Sequence, residues 1–190
     1  KGANQAHAAR RYGLATRLVG AVGDDDFAAP ALEQLRSAGV DLSALQRLPG
    51  PTGCAGIMVD ARGENQIVVA AGANLGLRSS HVDDAALAGA RVLLLQMETD
   101  VDQNAALIER AKRHGCRVVL NNAPARPLQH ELLPARDVLI GNQTALATTA
   151  PPANTSTVSS CQPMPAASGI LKVCRDGRGG TSPPIATTGA

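Results

Sequence analysis

Three apolar runs in this sequence close on polar side chains that could hold hydroxyl groups. Gln96-Met97-Glu98 follows residues 92–95, Asn121-Asn122 follows 117–120, and Gly141-Asn142-Gln143 follows 137–140. Carboxylates accept hydrogen bonds and amides both donate and accept them, so such a set can bind a polyhydroxylated ligand directionally. Any one of these clusters reads equally well as an ordinary turn that ends a strand. The three together point to a site, because open α/β sheets bind ligands at the carboxyl ends of their strands.

Lys1-Gly2-Ala3-Asn4-Gln5 is a second candidate. Gly2 permits close backbone approach, and a helix starting here would offer its first amides to an anion or a hydroxyl. Gly72-Ala73-Asn74 reads as a plain turn. Asp24-Asp25-Asp26 has no further ligand at metal-site spacing, and reads as a loop feeding a helix start, so no metal site is assigned.

The elements that must place these residues alternate along the chain. Helical patterns occupy residues 3–11 and 27–38, the latter with Phe27, Ala31, Leu32 and Leu35 on one stripe. A buried strand over 17–22 separates them. Strands 54–60 and 65–70 flank the turn Ala61-Arg62-Gly63-Glu64 and form a hairpin. From Ser79 onward come a helix, a strand (91–96), a helix (101–114), a strand (117–121), a short helix (127–133) and a strand (137–140). Strands alternating with helices imply crossover units and a parallel sheet. The unbroken apolar runs in 92–96 and 117–121 are expected to be covered on both faces.

Composition narrows the function classes. The 190 residues are 44% hydrophobic and carry a net charge of +2, with one Tyr, one Phe and no Trp. That excludes an aromatic stacking platform for single-stranded nucleic acid, and no basic block offers a phosphate-backbone footprint. No apolar run reaches the length of a membrane span. Cys54, Cys116, Cys161 and Cys174 form no Cys-x-x-Cys pair. Cys54 and Cys116 lie in apolar runs and read as small buried hydrophobes, in keeping with a reducing, cytoplasmic setting. His7, His81, His114 and His130 read as surface residues. After Thr144 the composition shifts to Ala, Pro, Thr, Ser and Gly, and residues 145–190 read as a poorly ordered tail. A chain starting at Lys1 suggests a fragment whose start lies upstream.

A longer pattern runs through these segments. Lys1-Gly2-Ala3-Asn4-Gln5-Ala6, Val19-Gly20-Ala21-Val22-Gly23-Asp24-Asp25, Pro51-Thr52-Gly53, Gly63-Glu64-Asn65-Gln66-Ile67, Gly72-Ala73-Asn74, Gln96-Met97-Glu98 and Asn121-Asn122-Ala123-Pro124-Ala125 follow one another without interruption up to about residue 144. The ordered set resembles the ribokinase-like, PfkB-type carbohydrate kinases. The resemblance implies an α/β fold, a parallel-sheet sandwich with helices on both faces and a small β-hairpin lid at about residues 51–72, here truncated. It also implies ATP-dependent phosphorylation of D-ribose at its 5-hydroxyl, with Mg2+, and admits a monovalent cation such as K+. Lys1, Gly2, Ala3 and Asn4 match the segment that lines the sugar pocket, and Glu98 matches an acidic sugar-binding residue. Asn142 matches the asparagine of the family's Asn-x-x-Glu motif near the nucleotide phosphates. In this family the lid often mediates dimerisation, so the expected partners are a sugar, ATP and a second copy.

The departures concern the reaction itself. The glutamate of the Asn-x-x-Glu motif is Ala145 here, and a methyl group cannot orient a metal or its water. Ala186-Thr187-Thr188-Gly189-Ala190 ends where the family's Gly-Asp, with its catalytic base, would follow. No catalytic residue is therefore assigned, and the activity is expected to be impaired. A non-catalytic sugar-binding or dimerisation remnant, or a fructokinase-like kinase, are the alternatives.

Overall fold

The computed structural model describes residues 1–128, 136–142, 145 and 172–174. Helix α1 (Gly2–Arg11) places Arg10 and Arg11 in its last turn, where cations complement the helix dipole. Strand β1 (Ala21–Val22) pairs in parallel with β2 (Gln46–Arg47), and Arg17 bridges to Asp41 upstream of this pair. Between them runs α2 (Ala28–Ser37), whose Leu32 and Leu35 pack with Ala6, Val22 and Val40 in one core cluster. Burying a leucine contributes about 1.5–3 kcal/mol, so these few residues hold the layer together. Phe27 departs from the expected stripe. It stands at the N-terminal boundary of α2, 68% exposed, because the helix starts one residue later.

The hairpin forms as the turn chemistry requires. β3 (Cys54–Val59) and β4 (Asn65–Ala70) are antiparallel, with Cys54 opposite Ala70 and Val59 opposite Asn65. Every residue of both strands is exposed. Cys54 is thus a correction: it lies on a hairpin with no core beneath it, whereas Cys116 is buried. After the hairpin comes a 3-10 turn (Gly72–Gly76), and from Ser79, where one helix is expected, a second 3-10 turn (Ser79–His81) and the one-turn helix α3 (Asp84–Ala88).

The four-stranded sheet has the order β5-β6-β7-β8. β5 (Val92–Gln96), β6 (Arg117–Asn121) and β7 (Val138–Gly141) are parallel, with Leu95 beside Leu120 and Gln96 beside Asn121. Helix α4 (Val101–Arg113) crosses over from β5 to β6 and sets Leu107, Ile108 and Ala111 in a core with Val118. Its start is capped by the Asp100 carboxylate, which accepts from Asp102 and Gln103. The α/β parallel-sheet fold class is the one observed. Full coverage of β5 is not: Val92 and Leu94, alternating with the inward Leu93 and Leu95, are 52% and 40% exposed. β8 (Lys172–Cys174) lies inside the segment read as a poorly ordered tail, yet it pairs antiparallel with β7. The rest of that expectation, the short helix over 127–133 beyond Leu128, and His130 lie outside the described residues. Among the described residues no helix is long and apolar enough to cross a membrane.

Candidate functional site

Residue 98 owes its position to the way β5 ends. Met97, with no exposed surface, plugs the turn into a small core with Leu120 and Leu139, and its N–H donates to Ala123 O at 3.2 Å. The Gln96 side chain curls back so that its Oε1 accepts from the Glu98 N–H at 2.6 Å. Glu98 then reaches the start of α1, its Oε2 lying 2.6 Å from the backbone nitrogen of Lys1. A Cβ on Gly2 would stand 3.1 Å from Gln96 Nε2, tighter than an ordinary contact, so the first turn of α1 sits closely against the Gln96 side chain. The partial positive end of α1 and the Glu98 carboxylate therefore face one another. Lys1, Gly2 and Glu98 lie close together. Ala3 and Asn4 are exposed on the same first turn.

The other strand ends separate into different roles. Asn122 is fully buried. Its Oδ1 accepts from the Arg126 N–H, and its Nδ2 donates to the carbonyls of Arg126 and Ala145. It ties two loops together instead of facing a ligand, a correction to its reading as a rim amide. Asn142 is exposed, and its Oδ1 accepts from the Ala145 N–H at 2.8 Å, the pattern of a helix N-cap. The β5-β6-β7 order places Gln96, Asn121 and Asn142 along one edge. Glu98 and Asn142 thus belong to strand ends two spacings apart, roughly 10 Å.

Asp25 proves to be a structural carboxylate. Its Oδ1 and Oδ2 accept from the Thr52 hydroxyl and the Thr52 N–H, at 2.6 and 2.8 Å. The hydrogen bond from Thr52 holds the Asp25 carboxyl below the usual aspartate range. The Thr52 hydroxyl accepts in turn from the Gly23 N–H at 2.9 Å. A Cβ at Gly23 would lie 2.1 Å from Gly50 O, so only glycine allows this contact. Asp24 and Asp25 therefore fasten the segment before the hairpin to the end of β1. Asp and Thr in loops are too common for this pairing to be visible in the sequence. Among the described residues, no group of three or more His, Cys, Asp or Glu is placed to hold a metal ion.

The sequence pattern of the pfkB family carbohydrate kinases matches residues 1–171. The chain belongs to that family. The family match runs past residue 144, where the resemblance by motif stops. Ribokinase of Staphylococcus aureus is 37% identical over 147 residues, covering 76% of this chain and 48% of that protein. Deoxyribokinase of Salmonella typhi is 35% identical over 150 residues, covering 77% and 49%. The structure of Arabidopsis thaliana ribokinase complexed with ribose and ATP superposes with a TM-score of 0.71 at 30% identity, covering 77% of this chain and 49% of that one. The chain spans about half the length of the curated relatives it matches.

Proposed function

We propose that this pfkB family chain carries the sugar-binding part of a ribokinase-type kinase, in which Lys1, Gly2, Ala3, Asn4 and Glu98 contact the sugar. The observation that carries this reading is the packing of the first turn of α1 against Gln96, whose Oε1 holds the Glu98 N–H at 2.6 Å. A carboxylate fixed at a helix start can accept hydrogen bonds from two sugar hydroxyls while the exposed first turn contacts others. D-Ribose is the substrate class favoured by the relatives, with ATP as phosphoryl donor to its 5-hydroxyl and a cytoplasmic location.

Asn142 is the residue that would approach the nucleotide phosphates. The Mg2+ part of that site does not fit this chain. Ala145 stands where the family glutamate would, with 1% of its surface exposed and no side-chain donor, and the Asn142 carbonyl oxygen already accepts from its backbone. Among the residues present, only sugar binding and orientation can be derived. The buried Ala145 is the specific observation behind a second reading, a sugar binder without phosphotransfer.

The hairpin is the proposed lid and dimer contact. One face carries Ile57, Val59, Ile67 and Val69 and the other carries Met58 and Val68, all at least half exposed. Apolar area on both faces suits a flap that covers a ligand on one side and a second copy on the other. Light scattering should show a dimer that Ile57→Lys converts to monomer.

Calorimetric titration with D-ribose tests the central reading, with 2-deoxyribose and fructose as comparisons. Saturable heat that Glu98→Ala weakens supports it, and no saturable heat with any of the three sugars removes it. A coupled ATP-to-ADP assay with ribose separates the two readings. Turnover above a no-protein control would remove the second.

A further inference from the structure

Helix α4 buries a polar residue on its apolar stripe. Asn104 stands with Leu107, Ile108 and Ala111 at helical spacing and is only 5% exposed. Burying a carboxamide there is costly unless its groups are bonded, and an apolar side chain would fill the stripe without that cost. Two side-chain hydrogen bonds of Asn104 end on one short segment. Asn104 Nδ2 donates to Gln96 O at 2.9 Å, and Asn104 Oδ1 accepts from Thr99 Oγ1 at 3.2 Å. Gln96 and Thr99 flank the turn that bears Glu98, and the Gln96 side chain holds the Glu98 N–H.

We infer that Asn104 is a positioning residue for sugar recognition, clamping residues 96–99 from beneath so that the Glu98 carboxylate stays fixed against the start of α1. The inference rests on the reading of Glu98 as the sugar-binding carboxylate. Three constraints on the turn then have separate sources. Met97 anchors it in the core, Gln96 orients the Glu98 amide, and Asn104 spans both ends of the turn. Without the third, the apolar plug holds Met97, but the backbone on either side of it can rotate and Glu98 loses its aim. Preorganisation of this kind appears in ligand affinity, because a wandering carboxylate must be ordered again at each binding event.

The test is a double-mutant cycle in the full 190-residue chain, read as D-ribose affinity by calorimetry with circular dichroism as the folding control. Asn104→Leu should keep the fold and weaken ribose binding by about tenfold, and in a Glu98→Gln background it should cost no more than about twofold. Affinity within twofold of the parent chain, or the same loss in both backgrounds, overturns the inference while leaving the sugar site standing. Absence of saturable ribose heat in the unmodified chain overturns the sugar-site reading and the inference with it. If Asn104→Leu fails to fold, Thr99→Val decides, since it removes one of the two clamp bonds from a partly exposed position. A loss of roughly threefold is expected there, on the scale of one neutral hydrogen bond, and no loss overturns the inference.

Discussion

The Thr52 hydroxyl donates to Asp25 Oδ1 at 2.6 Å while the Thr52 N–H donates to Asp25 Oδ2 at 2.8 Å, so one carboxylate grips both donors of a single residue. Thr52 precedes the first hairpin strand by two residues, and Asp25 follows β1 by three. The pair thus joins a hairpin with no buried residue to a layer that has a core.

Thr52→Val keeps the shape of the side chain but removes its donor to Asp25 and its acceptor for the Gly23 N–H. Thr52 is 7% exposed, so these groups lose partners where water does not readily replace them. A loss of about 1–3 kcal/mol is expected in urea unfolding. Amide exchange should rise through residues 54–70 more than in α4.

The same pair makes the hairpin base sensitive to acid. The Asp25 carboxyl lies below its ordinary value of 3.8, so its contribution is fully present above that value and is lost as pH falls through the lower folded one. Hairpin amide protection should decline below about pH 4 in the parent chain. Asp25→Asn should lose protection at neutral pH and show little further change in that window. An unchanged parent profile down to pH 2.5 would count against the anchor.

Restoring a family glutamate at residue 145 should fail to create a metal site. Ala145 is 1% exposed, and its N–H is held by Asn142. Ala145→Glu forces a carboxylate into that space, at a cost of several kcal/mol for an unpaired buried charge. The thermal midpoint should fall, and ATP turnover with ribose and Mg2+ should not rise.

Deleting residues 151–190 should have a measurable effect, despite the composition of that segment. Lys172, Val173 and Cys174 pair with Gly141, Ile140 and Leu139. Losing this ladder returns the β7 edge to water at about 0.5–1.5 kcal/mol per hydrogen bond. A thermal midpoint within 1 °C of the full chain would show that β8 contributes nothing.

Much of the site could be read from local patterns. The apolar runs ending at Gln96 and Asn121 announce strand ends, and the glycine-containing turn announces a hairpin. Each depends on neighbours in sequence, and side-chain period and turn conformation are local properties. Family resemblance added Lys1, Gly2, Ala3, Asn4, Glu98 and Asn142 as candidates. Local pattern misled where burial depends on distant partners. Cys54 and Phe27 look like core residues in their own segments but meet no layer that covers them. Asn122 looks like a rim amide until its loops fold over it.

The sequence by itself determined the alternation of strands and helices, the parallel sheet and the family, because period, punctuation and ordered motifs survive without coordinates. Only the tertiary structure decided which polar residues stay exposed at the strand ends and which hold the frame. Glu98 meets the start of α1 across 97 positions of chain, and Asp25 meets Thr52 across 27. Asn104 lies only eight residues from Gln96, yet its role appears only when α4 folds back beneath β5. Hydrogen bonding is short-ranged and directional, so the role of a polar side chain is settled by what the fold brings within about 3 Å of it.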